Sequence, residues 1–143
     1  MAAFEGVDYY ALDGLLSDEQ KLVRDTVREF VSNKILPVID EHQREGTFPV
    51  EALPGMAAMG LLGANLEGYG LPGLDNISYG LILQELERGD SGLRSFVSVQ
   101  GALCMYPIWR YGSEAQKQQW LPPMGRGDVI ACFGLTEPDA GSD

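Results

Sequence analysis

The sequence predicts a mainly α-helical domain of about five to six helices, ending in the first strand of a separate β-domain. Apolar residues recur at helical spacing through most of the chain, and a capping-box pattern opens two of the segments. A run typical of a buried strand, Val129–Phe133, comes only near the end. We expect an irregular lead-in at 1–16, an all-α domain at 17–127, and at 128–143 a strand and loop whose partner strands lie outside this chain.

The first helix is predicted from Ser17, where Ser17-Asp-Glu-Gln20 forms a capping box. Apolar residues recur every three or four positions along one face of this helix. Pro37 should kink or end the helix after Lys34, and the helix should resume before the polar run at 40–47. That face consists of Leu22, Val23, Val27, Phe30, Val31 and Ile35.

Two shorter helices follow. Phe48-Pro49 precedes a helix at 50–59, and residues 64–74 are rich in glycine and proline, which predicts turns. Asp75 or Asn76 should cap a third helix that runs to about Arg88, with Gly89 just beyond its end.

The fourth helix is predicted from Leu93 to about Tyr111, capped by Asp90 or Ser91. It is apolar almost all round, so we expect it at the centre of the domain, bent at Pro107. A second capping box at Ser113 opens a short polar helix to Trp120, which a further turn can follow at 122–127.

Composition narrows the function classes. The 143 residues carry 21 acidic and 10 basic side chains, a formal charge of −11, which argues against nucleic acid or an anionic membrane as partner. No apolar run reaches the roughly 20 residues of a membrane span, and the N-terminus carries no signal or transit peptide pattern. We expect a cytoplasmic protein if the source is bacterial, or a mitochondrial matrix protein if it is eukaryotic, although the sequence shows no transit peptide.

Cysteine and histidine offer little chemistry. Cys104 and Cys132 lie in apolar stretches, so we expect buried thiols in a reducing compartment, with nothing to favour a disulfide. The single histidine, His42, stands among charged residues, which does not favour a metal site.

The final stretch, Phe133–Asp143, combines features that suit a ligand. Pro138 stops a strand, Gly141 allows close approach of the backbone, and Thr136 and Ser142 offer hydroxyl groups. Such a strand exit would accommodate a flat heterocycle beside phosphates. The same residue types also fit an ordinary strand-to-turn exit, and both interpretations stay open on composition alone.

Arg94 is the second candidate for a ligand-binding residue. It shares a helix face with Ser98, close to Ser95 and the free amides of a helix start, which together could bind a carboxylate. The alternative is a structural ion pair with Glu87 or Asp90 that joins two helices.

Leu135-Thr-Glu-Pro-Asp-Ala-Gly-Ser-Asp143 resembles the signature of the acyl-CoA dehydrogenases, which are FAD-dependent flavoenzymes. The resemblance implies that Phe133, Gly134, Leu135 and Thr136 contact the flavin ring. It also implies that Gly141 and Ser142 bind FAD, with Ser142 near both the FAD pyrophosphate and the CoA thioester. On this basis the fold is the N-terminal helical domain of that family, and the chain is expected to be part of a longer protein.

The segment Glu85–Gln100 is similar to the glutaryl-CoA branch of that family, with two departures: Leu93 stands where the branch commonly has tyrosine, and Gly89 where it often has valine. In that branch the residues matching Arg94, Ser95 and Ser98, with Glu87 nearby, receive the free carboxylate of the substrate. The resemblance implies oxidation and decarboxylation of glutaryl-CoA to crotonyl-CoA, an electron-transfer flavoprotein as acceptor, and a homotetramer.

The family's general base, a glutamate, would lie beyond Asp143, so this chain alone is expected to be inactive. Two alternatives remain open at this point. In the first, the chain belongs to a dehydrogenase of short- or branched-chain substrates; in the second, it is a non-catalytic helical module from a shortened or split gene.

Overall fold

The computed structural model describes Val7 and residues 9–141. In this part of the chain, five continuous helices follow a short 3-10 turn at Leu12–Leu15, and the only paired strands form one small hairpin. The mainly α-helical class predicted from the sequence is confirmed.

The first helix is longer than predicted because it passes through a proline. It consists of α1 (Asp18–Phe30), a π-helical segment (Val31–Ile35) and α2 (Leu36–Glu45). The amide of Leu36 donates to the carbonyl of Val31, five residues back, so the wider π turn accommodates the ring of Pro37. The helix therefore continues through the polar run and ends at Gly46, whose φ is 65°.

The next two helices lie close to their predicted positions. A 3-10 turn (Val50–Ala52) leads into α3 (Leu53–Ala58), where Pro54 stands in the first turn and is tolerated there. Asp75 caps α4 (Asn76–Gly89) by accepting from the amides of Ile77 and Ser78.

Gly89 does not lie beyond the helix as predicted, because it is the last residue of α4. A Cβ at this position would lie 2.7 Å from Cγ1 of Val31 and 3.3 Å from Cγ2 of Ile35. Glycine is therefore required by the close approach of α4 to the π segment, and not by a helix-ending backbone conformation.

The fourth helix repeats the proline arrangement of the first. It consists of α5 (Ser91–Ser98), a π-helical segment (Val99–Met105) and α6 (Tyr106–Tyr111), and the amide of Tyr106 donates five residues back to Gly101 just before Pro107. This helix is less enclosed than the prediction of a central helix implied. Leu103 is 44% exposed and Tyr106 41% exposed on one face.

The last helix, α7 (Glu114–Gly125), includes the turn predicted after Trp120. Both capping boxes are confirmed: Ser17 and Ser113 each accept from the amide three residues on, and Gln20 and Gln116 return the bond.

A β-hairpin that the sequence did not reveal joins α3 to α4. Strands β1 (Glu67–Gly68) and β2 (Leu71–Pro72) pair across Tyr69 and Gly70, whose φ values of 57° and 78° fit a type I′ turn. Two side chains anchor the hairpin: Trp109 Nε1 donates to the Glu67 carbonyl at 2.8 Å, and the Tyr69 hydroxyl donates to Glu114 Oε2 at 2.8 Å.

The buried side chains form two clusters. The larger one packs the first helix against α3, α4 and α5, around Ile35, Met56, Ile82 and Leu93. The smaller one joins the second π segment to α7 and the hairpin, around Leu66, Met105 and Leu121. Glu85 of α4 is also buried, and it accepts from Arg28 Nη2 at 2.6 Å and from Arg88 Nε at 2.9 Å, which ties α4 to α1.

The strand predicted at 129–135 is not formed. Residues 130–136 belong to no strand, and the chain turns at 137–140, where Glu137 and Ala140 make an isolated bridge. A strand needs a neighbouring strand to satisfy its backbone groups, and none of the described residues supplies one. For the same reason Cys132 is exposed, which corrects the expectation of a buried thiol, whereas Cys104 is buried as expected.

No helix in the described range has both the length and the apolar character needed to cross a lipid bilayer.

Candidate functional site

The junction between α4 and α5 is a sharp turn held by one residue. Asp90 has extended backbone angles, φ −165° and ψ 130°, and its Oδ1 accepts from the amide of Leu93 at 2.9 Å. Its Oδ2 accepts from Gln43 Nε2 of α2 at 2.6 Å. The cap and this second bond fix the direction of α5, so that Arg94 in its first turn faces Glu87 in the last turn of α4.

An ion pair crosses this junction. Arg94 Nε donates to Glu87 Oε2 at 2.6 Å, and the Ser91 hydroxyl donates to Glu87 Oε1 at 2.6 Å. The hydrogen bond from Arg94, followed by that from Ser91, lowers the pKa of Glu87. Glu87 is therefore an anion at neutral pH, with each of its oxygens engaged.

The sequence left two interpretations of Arg94 open, and the geometry bears on both. The structural pair with Glu87 is formed, whereas Asp90 caps α5 instead of pairing with Arg94. Only Nε takes part, and among the described residues no hydrogen bond reaches Nη1 or Nη2. The donors of Nη1 and Nη2 are therefore not used within the described part of the chain, and the Arg94 side chain, which is 37% exposed, is partly open to solvent.

The two predicted serines lie beyond Arg94 on the same helix and are half-buried. Ser98 lies close to Tyr79 of α4; burial raises the pKa of the Tyr79 phenol, and the nearby Ser98 hydroxyl opposes the rise. Ser95 follows Arg94 directly, so Arg94, Ser95 and Ser98 occupy the first two turns of α5.

The segment predicted to contact flavin is an open, extended stretch. Phe133 is 50% exposed and Leu135 is 71% exposed, and Gly134 and Thr136 are exposed between and beside them. Gly141 is exposed after the 137–140 turn, and Ser142 lies outside the described residues. No hydrogen bond or ion pair joins the described part of this segment to Arg94, Ser95 or Ser98.

We asked whether these residues fit a flavin. No backbone hydrogen bond among the described residues involves positions 132–136, so their donors and acceptors are available, and two apolar side chains lie beside them. An added Cβ at Gly134 would meet no atom within 4 Å, so a ligand can approach the backbone there. Unpaired peptide groups beside aromatic and aliphatic surface fit the edge and face of a flat heterocycle.

The described residues of the predicted site are exposed or half-buried, so they form an open surface. A cleft of about 240 Å³ lies between the first helix and the Pro49–Gly55 region, lined by Phe30, Lys34 and Glu51 among others, away from the predicted site residues. Within the described ranges, no three His, Cys, Asp or Glu side chains come together as a metal site. His42 instead bonds Thr47 Oγ1 at 2.7 Å and Glu51 Oε1 at 2.8 Å.

Sequence reasoning missed two partners of the site. Ser91 appeared only as a possible cap, yet it bonds Glu87. The second is Tyr79, which lies one turn before Ile82 and Leu83 on the core face of α4. A tyrosine on an otherwise apolar helix face was a signal in the sequence, because a buried hydroxyl group usually lies near a polar partner.

Comparison with known proteins places this geometry in a family. The family model described as "Acyl-CoA dehydrogenase, N-terminal domain" matches residues 17–128. A glutaryl-CoA dehydrogenase from Desulfococcus multivorans is 38% identical over 136 residues, which are 92% of this chain and 35% of that protein. The mitochondrial short-chain specific acyl-CoA dehydrogenase of Rattus norvegicus is 36% identical over 129 residues, 90% of this chain and 31% of that protein.

A solved structure extends the likeness to three dimensions. The glutaryl-CoA dehydrogenase from Mycobacterium smegmatis, in complex with FADH2, matches with a TM-score of 0.89 and 48% identity, over 94% of this chain and 35% of that one. The chain thus spans about a third of the length of the relatives it matches. Together with the helical architecture, these matches show that the chain belongs to the acyl-CoA dehydrogenase family, within its N-terminal domain.

Proposed function

We propose that this chain is the N-terminal part of an FAD-dependent acyl-CoA dehydrogenase that oxidises glutaryl-CoA and releases carbon dioxide to give crotonyl-CoA. The observation that carries the proposal is the Arg94–Glu87 pair, because it holds the guanidinium by Nε and uses neither Nη1 nor Nη2. A guanidinium with both ends available is well suited to a carboxylate, which a dicarboxylic acyl group has and a simple fatty acyl group lacks.

The chain's own residues would position substrate and cofactor. Arg94, with Ser95 and Ser98, would hold the distal carboxylate, and Glu87 would keep the guanidinium in place. Phe133, Gly134, Leu135, Thr136, Gly141 and Ser142 would contact FAD, with Ser142 also close to the thioester. When bound, FAD would supply the hydride acceptor.

Other parts of the proposal concern the whole protein. Residues 17–127 would form the helical domain after a lead-in at 1–16, and 128–143 would begin the middle β-domain. The general base would come from sequence beyond Asp143, so we expect the 143-residue chain to show no turnover by itself. An electron-transfer flavoprotein would accept the electrons, and the enzyme would be a homotetramer in the bacterial cytoplasm, or in the mitochondrial matrix of a eukaryote.

The test is Arg94→Gln in the flavin-loaded enzyme that contains this chain, assayed with glutaryl-CoA and butyryl-CoA. We expect kcat/KM for glutaryl-CoA to fall at least tenfold, because one charge-assisted hydrogen bond contributes about 1.5–3 kcal/mol, while butyryl-CoA turnover is preserved. An equal loss on both substrates would refute the glutaryl assignment.

A second candidate is a short-chain dehydrogenase, supported by the 36% identity to the rat enzyme. A wild-type preference for butyryl-CoA over glutaryl-CoA would favour it.

A third candidate is a non-catalytic helical module. It would be supported by a stable 143-residue chain that retains flavin but lacks activity when its remaining domains are supplied.

A further inference from the structure

The hydroxyl of Ser91 occupies one oxygen of the Glu87 carboxylate. Ser91 begins α5 and Glu87 lies four residues earlier, in the last turn of α4, on the other side of the Asp90 turn. The Ser91 hydroxyl donates to Oε1 and Arg94 Nε donates to Oε2, both at 2.6 Å. Each oxygen of Glu87 therefore has one short partner.

A carboxylate and a guanidinium favour a different arrangement when nothing else intervenes. They commonly form two parallel hydrogen bonds, in which both oxygens are engaged by adjacent guanidinium nitrogens. If Glu87 adopted that arrangement, it would take an Nη of Arg94 as well as Nε. One of the two nitrogens that remain accessible to a ligand would then be consumed within the protein.

We propose that Ser91 is a positioning residue that keeps Glu87 on Nε alone and thereby preserves Nη1 and Nη2 of Arg94 for a carboxylate-bearing substrate. Asp90 supports the same geometry, since its bonds to the Leu93 amide and to Gln43 fix the turn between the two helices. This inference rests on the proposed function, because it takes the distal carboxylate of the acyl group to be the ligand of Nη1 and Nη2.

The test uses Ser91→Ala and Ser91→Thr in the flavin-loaded enzyme that contains this chain. Crystal structures of the two variants show directly how Glu87 meets Arg94. We expect Glu87 of the alanine variant to rotate and engage Nε together with an Nη. The threonine variant keeps a hydroxyl and should retain the single Nε bond. An unchanged Glu87–Arg94 contact in the alanine variant would overturn the proposal.

Kinetics provide the second readout. Ser91→Ala should raise KM for glutaryl-CoA about tenfold, equivalent to one lost charge-assisted hydrogen bond, with kcat little changed and KM for butyryl-CoA unaffected. Ser91→Thr should restore the wild-type KM. Ser113→Ala, which removes the serine that caps α7, controls for general loss of stability. A KM change of equal size for both substrates, or in the Ser113 variant, would contradict a positioning role.

The two proposals can fail separately. If Arg94→Gln affects both substrates equally, the glutaryl assignment fails, yet the crystal structures still decide whether Ser91 controls the Glu87 contact. If Arg94→Gln is selective and Glu87 does not move in Ser91→Ala, the glutaryl assignment stands and the role of Ser91 is refuted.

Discussion

The side-chain amide of Gln100 pairs with the backbone beside Ala131 in the way that a neighbouring strand would. Gln100 Oε1 accepts from the Ala131 amide at 3.0 Å, and its Nε2 donates to the Val129 carbonyl at 2.9 Å. Gln100 lies in the second π segment and is 1% exposed. One buried glutamine thus holds the exit of the helical domain and directs the chain towards the segment we assign to flavin.

Replacing Gln100 should therefore loosen this exit. Gln100→Ala leaves the Ala131 amide and the Val129 carbonyl without their partner, and each unsatisfied, partly buried group costs about 1–3 kcal/mol. We expect the free energy of unfolding to fall by roughly 2–4 kcal/mol in urea denaturation, with faster exchange of the Ala131 amide hydrogen.

Gln119→Ala in α7 is the matched control, since Gln119 is exposed and should change stability by less than about 0.5 kcal/mol. Equal stability of the two variants would show that the Gln100 bonds contribute nothing to the fold.

Local sequence signals predicted the helices but not how they join. The two capping boxes and the Asp75 and Asp90 caps are short-range patterns. Both capping boxes form where they were predicted, and Asp75 and Asp90 were each one of two predicted caps. Pro37 predicted a kink or an end, because nothing local indicates that a π turn will form before the ring. The type I′ turn places Tyr69 at positive φ, which a tyrosine does not signal.

The candidate site was likewise predictable in its residues but not in its geometry. Arg94 and Glu87 were identified from residue type and spacing, and their contact was offered as one alternative. Which nitrogen bonds, and that Ser91 takes the other oxygen, depends on the angle between α4 and α5, which no local pattern encodes. The strand at 129–135 was predicted from composition, but strand formation depends on a partner that the described chain does not provide.

Buried Glu85 should make stability depend on pH. Burial would raise the pKa of Glu85, but hydrogen bonds from Arg28 and Arg88 outweigh it, so the pKa is lowered. A lowered pKa in the folded state means that the contribution is present above the unfolded value of about 4.3 and is lost as pH falls through the folded value. We expect Glu85→Gln to lower the free energy of unfolding by about 2 kcal/mol at pH 7.

The difference between wild type and Glu85→Gln should shrink as pH is lowered from 5 towards 3, when measured by urea denaturation at each pH. Glu29→Gln, on an exposed position of α1, provides the control and should show no such convergence. A difference that stays constant across this range would argue that Glu85 contributes by shape and not by charge.

The two cysteines should differ in reactivity. Cys104 is buried, and burial raises the pKa of its thiol, whereas Cys132 is exposed in the extended segment. Because the thiolate is the reactive species, iodoacetamide at pH 8 should alkylate Cys132 in the folded chain well before Cys104. Peptide mass spectrometry gives the two rates, and in urea they should converge. Equal rates in the folded chain would mean that Cys132 is covered.

Gly89 should be intolerant of alanine although it lies in a helix. A Cβ there would meet Cγ1 of Val31 at 2.7 Å, and Val31 is fully buried and cannot move aside. The overpacking costs about 1–3 kcal/mol, while alanine returns about 1 kcal/mol of helix propensity, so we expect a net loss of about 1 kcal/mol. Gly80→Ala in the same helix, where a Cβ would meet nothing within 4 Å, should instead raise stability by about 0.5–1 kcal/mol.

A double-mutant cycle separates crowding from other causes. Val31→Ala removes Cγ1, so the loss caused by Gly89→Ala should disappear or reverse in that background, which gives a coupling energy of about 1 kcal/mol or more between positions 31 and 89. Additive effects would show that the close approach of α4 to the first π segment is not what requires glycine. In that case the restriction would have to arise from the end of α4 itself, next to the Asp90 turn that carries Ser91 and Arg94.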